Sequence, residues 1–341
     1  MRPGPSLLLS VFVLGAAACT SAPSARPGED PDTPTGPSSS EEPTVPERSS
    51  CAGLPAGPGT HEWTVTHDGR ARTYRVRVPP HYDATRPTPI VVAFHGYGSN
   101  PEQLEVQTGL STLADTEGFL AVYPRGLSDA EISGGTAAPR DNTRGWNAGA
   151  CCGRAQIANV DDVGFVDALL ADLDTHVCVD PRRTFATGFS NGGFFNYRLA
   201  CERAGRFAAI APVSGMATSG PCAPSRAVPV LHIHGTDDSV IRYAGGSNIP
   251  FGRPYPSAET SVKGWAEHNG CRQVATRTYQ RGDATCAAFT ECSPENATAS
   301  LCTVRGGGHT WPGSPVPYGN PTHDLNATLE AWRFFQTRPR P

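Results

Sequence analysis

Five short runs of nearly unbroken apolar residues constrain the fold of this chain more than any other feature. They are Ile90 to Phe94, Phe119 to Tyr123, Thr184 to Gly188, Ala208 to Val213 and Val230 to Ile233. A strand buried on both faces is apolar at consecutive positions, whereas a half-solvated strand alternates. Between the runs lie segments with apolar spacing near 3.6, at 101 to 116, 160 to 176 and 192 to 204. In the second of these, Val163, Val166, Leu169, Leu170 and Leu173 share one face. Strands alternating with helices predict a mostly parallel central sheet with helices on both faces. Ahead of it, residues alternate from Glu62 to Val78 around His67-Asp68-Gly69-Arg70, and Asp-Gly there predicts an antiparallel N-terminal hairpin.

These patterns begin only after residue 50. Residues 19–50 are rich in Pro, Ser, Thr and acidic side chains and poor in large apolar ones, so they read as a disordered linker that cannot bury enough surface to offset its ordering entropy. Residues 51–341 are long enough to bury roughly three quarters of their unfolded surface around one core. Residues 1–18 read as a signal peptide: Arg2 precedes the apolar run Leu7 to Leu14, which is too short to span a bilayer, and the small residues Gly15-Ala16-Ala17-Ala18 follow. Cleavage before Cys19 would expose a cysteine for lipidation, in a sequence similar to a bacterial lipoprotein box, although Ala16 stands where Leu is usual. Cleavage after Ala16-Ala17-Ala18 would give plain secretion. Both readings take the protein out of the cytosol, to the extracellular space or the cell surface, and touch a membrane only through a lipid anchor.

The formal net charge is −4 and the 28 basic residues are scattered, which argues against a nucleic-acid partner or an anionic membrane surface. Of eleven cysteines, ten remain after Cys19, an even number suited to an oxidising compartment. A bond between adjacent Cys151 and Cys152 would be strained, so each is expected to bond elsewhere, with Cys51 and Cys178 the leading partners. The remaining pairs are expected to be Cys201 with Cys222, Cys271 with Cys302 and Cys286 with Cys292. No C-x-x-C pair or Cys/His cluster has ligand spacing, so neither a metal nor a cofactor is expected.

The chemistry lies at the ends of the strand-like runs. Gly188-Phe189-Ser190-Asn191-Gly192 fits G-x-S-x-G between a strand and a helix, the context a nucleophile elbow requires. There a sharp turn lifts the serine hydroxyl out of the sheet, and the helix N-terminus favours developing negative charge. A serine hydroxyl needs a base, and the base needs a carboxylate to orient it. His234-Gly235-Thr236-Asp237-Asp238 closes the run that ends at Ile233. Either aspartate can serve, and the pattern H-G-x-x-D-x-V, completed by Val240, favours Asp238; Asp237 can instead bond its own loop. His309, in Gly306-Gly307-Gly308-His309-Thr310-Trp311 after the strand-like Leu301 to Val304, is the best base candidate. His232 reads as a packed strand residue, His234 as structural and His268 as a surface helix residue. Two backbone N–H donors for an oxyanion are expected from Asn191 and from Tyr97 in His95-Gly96-Tyr97-Gly98, where His95 holds the loop.

Together with Gly145-Trp146-Asn147, Cys151-Cys152, Asp161-Asp162-Val163-Gly164-Phe165, Leu199-Ala200-Cys201-Glu202, Ala211-Pro212-Val213-Ser214-Gly215, Tyr243-Ala244-Gly245-Gly246 and Gly308-His309-Thr310-Trp311-Pro312-Gly313, these residues resemble one family. The chain is similar, over nearly all of residues 60 to 336, to the secreted polyhydroxybutyrate depolymerase and feruloyl esterase group of α/β-hydrolases, related to carbohydrate esterase family 1. The resemblance implies an α/β-hydrolase catalytic domain at 51–341 and a serine carboxylic-ester hydrolase acting on feruloyl-polysaccharide or short polyhydroxyalkanoate esters. It carries a triad onto Ser190, Asp238 and His309, and makes Trp146 and Trp311 walls of an acyl pocket. For Trp146, packing in the core is the competing reading. No segment reads as a separate polymer-binding module, which favours smaller esters or a soluble feruloylated polysaccharide. A serine peptidase, or a non-catalytic surface binding protein on the same fold, are the alternatives.

Overall fold

The computed structural model describes residue 51 and residues 53–341, apart from 135, 137, 218, 219 and 248–252. The signal peptide, Cys19 and the linker therefore lie outside the described residues. Asp68 and Gly69 both adopt positive φ, 49° and 69°, and reverse the chain between strands β1 (Gly59–His67) and β2 (Arg70–Val78). Paired positive-φ residues match the twist of a two-residue hairpin, as the Asp-Gly dipeptide predicts.

The apolar runs form β3 (Thr88–Phe94), β4 (Leu120–Pro124), β5 (Val179–Phe189), β6 (Ala209–Val213) and β7 (Val230–Gly235). Three further strands follow: β8 (Ala275–Arg281), β9 (Ala284–Phe289) and β10 (Ala299–Val304). All ten lie in one sheet of order β1-β2-β4-β3-β5-β6-β7-β10-β9-β8. The six central strands, β4 to β10 in that order, are parallel neighbours, while β1–β2, β2–β4, β10–β9 and β9–β8 are antiparallel. This is the α/β-hydrolase architecture expected, with an additional antiparallel pair, β8 and β9, on the far edge.

The helical segment expected at 101 to 116 is two helices, α1 (Pro101–Thr108) and α2 (Leu110–Glu117), because Gly109 turns left-handed at φ 63° and ends the first. Asn100 caps α1 by accepting from the Gln103 N–H at 2.8 Å. Short helices α3 (Asp129–Ser133) and α4 (Gly153–Ile157) lie in loops, and α5 (Asp162–His176) and α6 (Asn191–Glu202) follow the apolar faces read from sequence. The chain closes with α7 (Ala258–His268) and α8 (Ala327–Gln336). Trp146, Phe165, Phe194 and Phe195 fill the core on one face of the sheet, and Phe119, Phe185, Trp311 and Phe335 the other.

One buried ion pair ties the hairpin to the crossover. The Arg72 guanidinium donates to Asp162 Oδ1 at 2.7 Å and lies 3.9 Å above the Phe165 ring, while Asp162 Oδ2 accepts from the Asn147 N–H at 2.8 Å. Both side chains of the pair are within 2 % of full burial.

Five disulfides close the fold: Cys51–Cys178, Cys151–Cys152, Cys201–Cys222, Cys271–Cys292 and Cys286–Cys302. Only Cys201–Cys222 is the pair expected. Cys286 and Cys302 are directly opposite in the β9–β10 ladder, which draws Cys302 away from Cys271 and leaves Cys271 to Cys292. Cys51 and Cys178 bring their Cα atoms within 5.3 Å and bond each other, so neither is a partner for the adjacent pair, and Cys151 and Cys152 are joined together.

Candidate active site

Strand order reverses at β3 and β5, so the loops after them leave the sheet on opposite sides and open a crevice at its carboxyl edge. Phe94 and Gly188 are register partners there, which sets the loop carrying Tyr97 beside the turn carrying Ser190. Ser190 ends β5 and begins α6 with φ 55° and ψ −116°, a backbone conformation that side chains rarely adopt. Its N–H donates to Val213 O at 2.9 Å, which holds the turn to the neighbouring strand. The flanking glycines are required by close approach. A Cβ on Gly192 would lie 2.0 Å from Phe94 O, and one on Gly188 would lie 2.6 Å from the Gly192 backbone.

Asp238 lies in the loop after β7 and His309 in the loop after β10, and parallel pairing of these two strands brings the loops together. His309 Nδ1 and Asp238 Oδ2 are 2.8 Å apart, and Asp238 Oδ1 accepts the N–H groups of Val240 and Ile241 at 2.9 and 2.7 Å. Burial alone would raise the Asp238 carboxyl pKa. Hydrogen bonds and charge from His234 and His309 outweigh it and hold the group well below the usual carboxylate range, so it is ionised at neutral pH. Asp237 is exposed, accepts from Thr236 Oγ1 at 2.9 Å, and makes no hydrogen bond to His309 among the described residues.

Ser190 and His309 both line a cleft of about 900 Å³, with Gly96, Tyr97, Val106, Cys152, Phe189, Val240, Val316 and Tyr318. The Phe189 ring lies 4.7 Å from the His309 ring and packs beside it. Of the six large hydrophobic residues exposed among the described residues, four rim this cleft: Tyr97, Val106, Val240 and Tyr318. Exposed apolar side chains gathered at one concavity mark a binding site more than scattered ones do.

The N–H of Asn191 is the first of α6 and has no partner within the helix, and the Tyr97 N–H has no backbone partner among the described residues. The Asn191 side chain clamps the neighbouring loop: Oδ1 accepts from the Trp146 N–H at 2.7 Å and Nδ2 donates to Cys151 O at 2.8 Å. His95 Nε2 accepts from the Gly126 N–H at 3.0 Å and Nδ1 meets Gly96 O at 2.8 Å, so His95 holds the Tyr97 loop from beneath. Burial pushes its pKa down to about 4, and it is neutral.

Trp146 and Trp311 do not line the cleft. Trp146 is fully buried, stacked on Phe195, with its indole N–H donating to His95 O at 3.0 Å; Trp311 donates to Thr328 Oγ1 at 2.9 Å within the core. An indole N–H with a buried acceptor is satisfied without solvent, which lets a ring next to the site pack as core. Walls that sequence reasoning missed, Val106 on α1 and Val316 and Tyr318 in the loop after β10, stand in their place.

Residues 66–299 match the model of the Esterase family, described as "Putative esterase". That span includes Ser190 and Asp238 and stops short of His309. The chain is 28 % identical over 242 residues to Feruloyl esterase B of Piromyces equi, covering 69 % of this chain and 42 % of that protein. It is 31 % identical over 267 residues to the protein "Putative esterase NocK" of Nocardia uniformis subsp. tsuyamanensis, covering 73 % of each. Acetyl xylan esterase from Aspergillus awamori has the same fold, with a TM-score of 0.54 at 14 % identity over 81 % of this chain and 99 % of that one. The chain belongs to the Esterase family, whose members hydrolyse carboxylic esters.

Proposed function

We propose that this chain is an exported serine carboxylic-ester hydrolase that works through an acyl-enzyme. The observation that carries the reading is the pair of a buried, ionised Asp238 and His309 opening, with the strained Ser190, onto one apolar cleft. Ser190 Oγ attacks the ester carbonyl while His309 Nε2 takes its proton, and Asp238 stabilises the imidazolium at Nδ1. The carbonyl oxygen becomes an oxyanion held by the N–H groups of Tyr97 and Asn191, helped by the N-terminus of α6. His309 then protonates the leaving alkoxide. A water deprotonated by His309 attacks the acyl-Ser190 ester, and its collapse frees the acid and restores the serine.

Among the described residues that line the cleft, Glu102 is the one carboxylate and there is no arginine or lysine. A neutral acyl group with an aromatic or short branched body, such as a feruloyl or hydroxybutyryl group, suits Tyr97, Val106, Val316 and Tyr318. The name of the Piromyces equi relative supports the feruloyl reading. Five disulfides support export, and residues 1–18 with Cys19 supply the signal and a lipidation site.

The test compares methyl ferulate, a hydroxybutyrate oligomer and a chromogenic butyrate ester with a matched amide, in wild type and variants. Ser190→Ala and His309→Ala each lower ester hydrolysis by about three orders of magnitude or more in folded protein, and Asp238→Asn does far more harm than Asp237→Asn. Retention of more than about a tenth of the activity in Ser190→Ala would refute the nucleophile assignment, and faster amide than ester cleavage would make the enzyme a peptidase.

A further inference from the structure

Beside Asp238 lies a chain of buried side chains that the proposed chemistry does not use. His234 Nε2 is 2.7 Å from Ile241 O and 3.3 Å from Asp238 Oδ2. His234 Nδ1 is 3.1 Å from His232 Nε2, and His232 Nδ1 is 2.8 Å from the Tyr197 hydroxyl. His232 and His234 are wholly buried and Tyr197 is 1 % exposed. The two histidines alternate on β7 and so share one face of the sheet, while Tyr197 stands on α6, the helix that Ser190 begins. Tyr197 also floors a surface hollow of about 170 Å³ beside Trp265 and Thr260.

The Ile241 carbonyl fixes the first proton of this chain. A carbonyl oxygen only accepts, so His234 Nε2 carries a hydrogen. A neutral His234 therefore presents Nδ1 as an acceptor, and His232 Nε2 must donate to it. A neutral His232 in turn accepts at Nδ1, and the donor is the Tyr197 hydroxyl. All three groups are satisfied when both rings are neutral, and the donors then run in one direction, from Tyr197 through His232 to His234 and Ile241 O.

We infer that Tyr197, His232 and His234 are positioning residues for ester hydrolysis: their hydrogen-bond chain ends on the carbonyl of Ile241, whose N–H holds Asp238 Oδ1, and sets the His234 ring 3.3 Å from Asp238 Oδ2, which keeps the carboxylate turned toward His309. The inference rests on the triad reading above. Asp238 Oδ2 accepts from His309 and lies 3.3 Å from His234 Nε2, so a carboxylate rotated away from His309 would lose that bond and that contact together, while its Oδ1 is pinned by the N–H groups of Val240 and Ile241. The chain orients and does not conduct protons. Burial drives the Tyr197 hydroxyl pKa far up, and burial and the neighbouring His234 drive that of His232 well down, so neither gains nor loses a proton in the working range. Among the described residues, Tyr243 also faces the pair: its ring meets the His234 ring edge-on at 5.9 Å and its hydroxyl is engaged with Thr303 and Glu259.

The test has two arms on the full, disulfide-bonded protein. In the first, nitrogen NMR of histidine-labelled protein reads the ring protonation directly. Two histidines, assigned by His232→Gln and His234→Gln, should carry the ring proton on Nε2 at pH 8; either one found as the Nδ1–H tautomer overturns the chain. In the second, kcat and KM are measured on a chromogenic butyrate ester. His234→Leu removes the donor to Ile241 O and the ring nitrogen beside Asp238, and should lower kcat at least thirtyfold with KM within threefold. His234→Gln, whose amide N–H reaches the same place, should recover kcat to within fivefold of wild type. Tyr197→Phe removes only the last donor, keeps the fold, and should lower kcat three- to tenfold at constant KM. A folded His234→Leu within threefold of wild type, or a Tyr197→Phe with unchanged kcat, overturns the positioning role. Where His234→Leu does not fold, Tyr197→Phe and the tautomers decide. Activity that survives Ser190→Ala sinks the triad reading and leaves the tautomers as they are, so the two failures are distinguishable.

Discussion

Mild acid should loosen this protein through His95 before the carboxylates titrate. His95 is fully buried under the loop that carries Tyr97, and its Nε2 accepts the Gly126 N–H. Burial first, then repulsion from Arg144 and Arg125, places its pKa at about 4 against an ordinary 6.5. The native state therefore refuses a proton that the unfolded chain accepts. Stability is whole above about pH 6.5 and is lost as pH falls from there to about 4, since the unfolded state binds more protons throughout that window. At about 1.4 kcal/mol per pH unit, the gap amounts to about 3 kcal/mol, a large share of the 5–15 kcal/mol that holds a typical domain together. His232 adds loss of the same sign. Urea unfolding with disulfides intact, repeated from pH 7.5 to pH 4.5, measures the slope. His95→Gln removes the titration and keeps an acceptor for Gly126, so it should be less stable than wild type at pH 7.5 and lose about 2 to 3 kcal/mol less on acidification. An equal acid loss in wild type and His95→Gln would refute the argument, because no other group in that comparison changes.

Two further outcomes test the scaffold. Arg72→Ala strands the Asp162 carboxylate in the core and removes the cation over Phe165, so it should cost about 3 to 5 kcal/mol in urea unfolding, whereas replacing both partners with apolar residues should cost much less. The five disulfides should leave none of their ten cysteines reactive when the unreduced mature protein is denatured with a thiol reagent present, and reduction should lower Tm markedly, since a bridge commonly contributes about 2 to 4 kcal/mol. About ten reactive thiols would contradict the pairing.

What the sequence made legible follows from burial. Strands β3, β4, β6 and β7 and the second half of β5 are buried throughout, so each reads as a short run without polar alternation. Ser190 and Asp238 follow two such strands and His309 follows β10, and parallel strands deliver the residues after their carboxyl ends to one edge; finding the strands located the candidate site. Strand β8 was invisible for the opposite reason. It is an edge strand exposed on both faces, with no apolar side to alternate, and without it and β9 nothing set Cys286 opposite Cys302. The error in the cysteine pairs was thus an error of topology, carried into chemistry.

The cleft walls failed on different grounds. Trp146 adjoins the candidate site in sequence motif and in space, yet its indole N–H finds His95 O inside the core and its ring stacks on Phe195, so nothing draws it outward. Val106 lies on the solvent side of α1 and Tyr318 in a loop after β10, and each would read in isolation as an ordinary exposed residue. Only the path of the two segments brings them over Ser190. Burial is a property that a stretch of sequence can encode by itself, because it repeats along the element. A binding wall is shared between elements far apart in the chain and repeats in none of them. The His232–His234 chain joins both cases: each histidine reads as a packed strand residue, and only the partners supplied by α6 and the loop after β7 turn that packing into a direction.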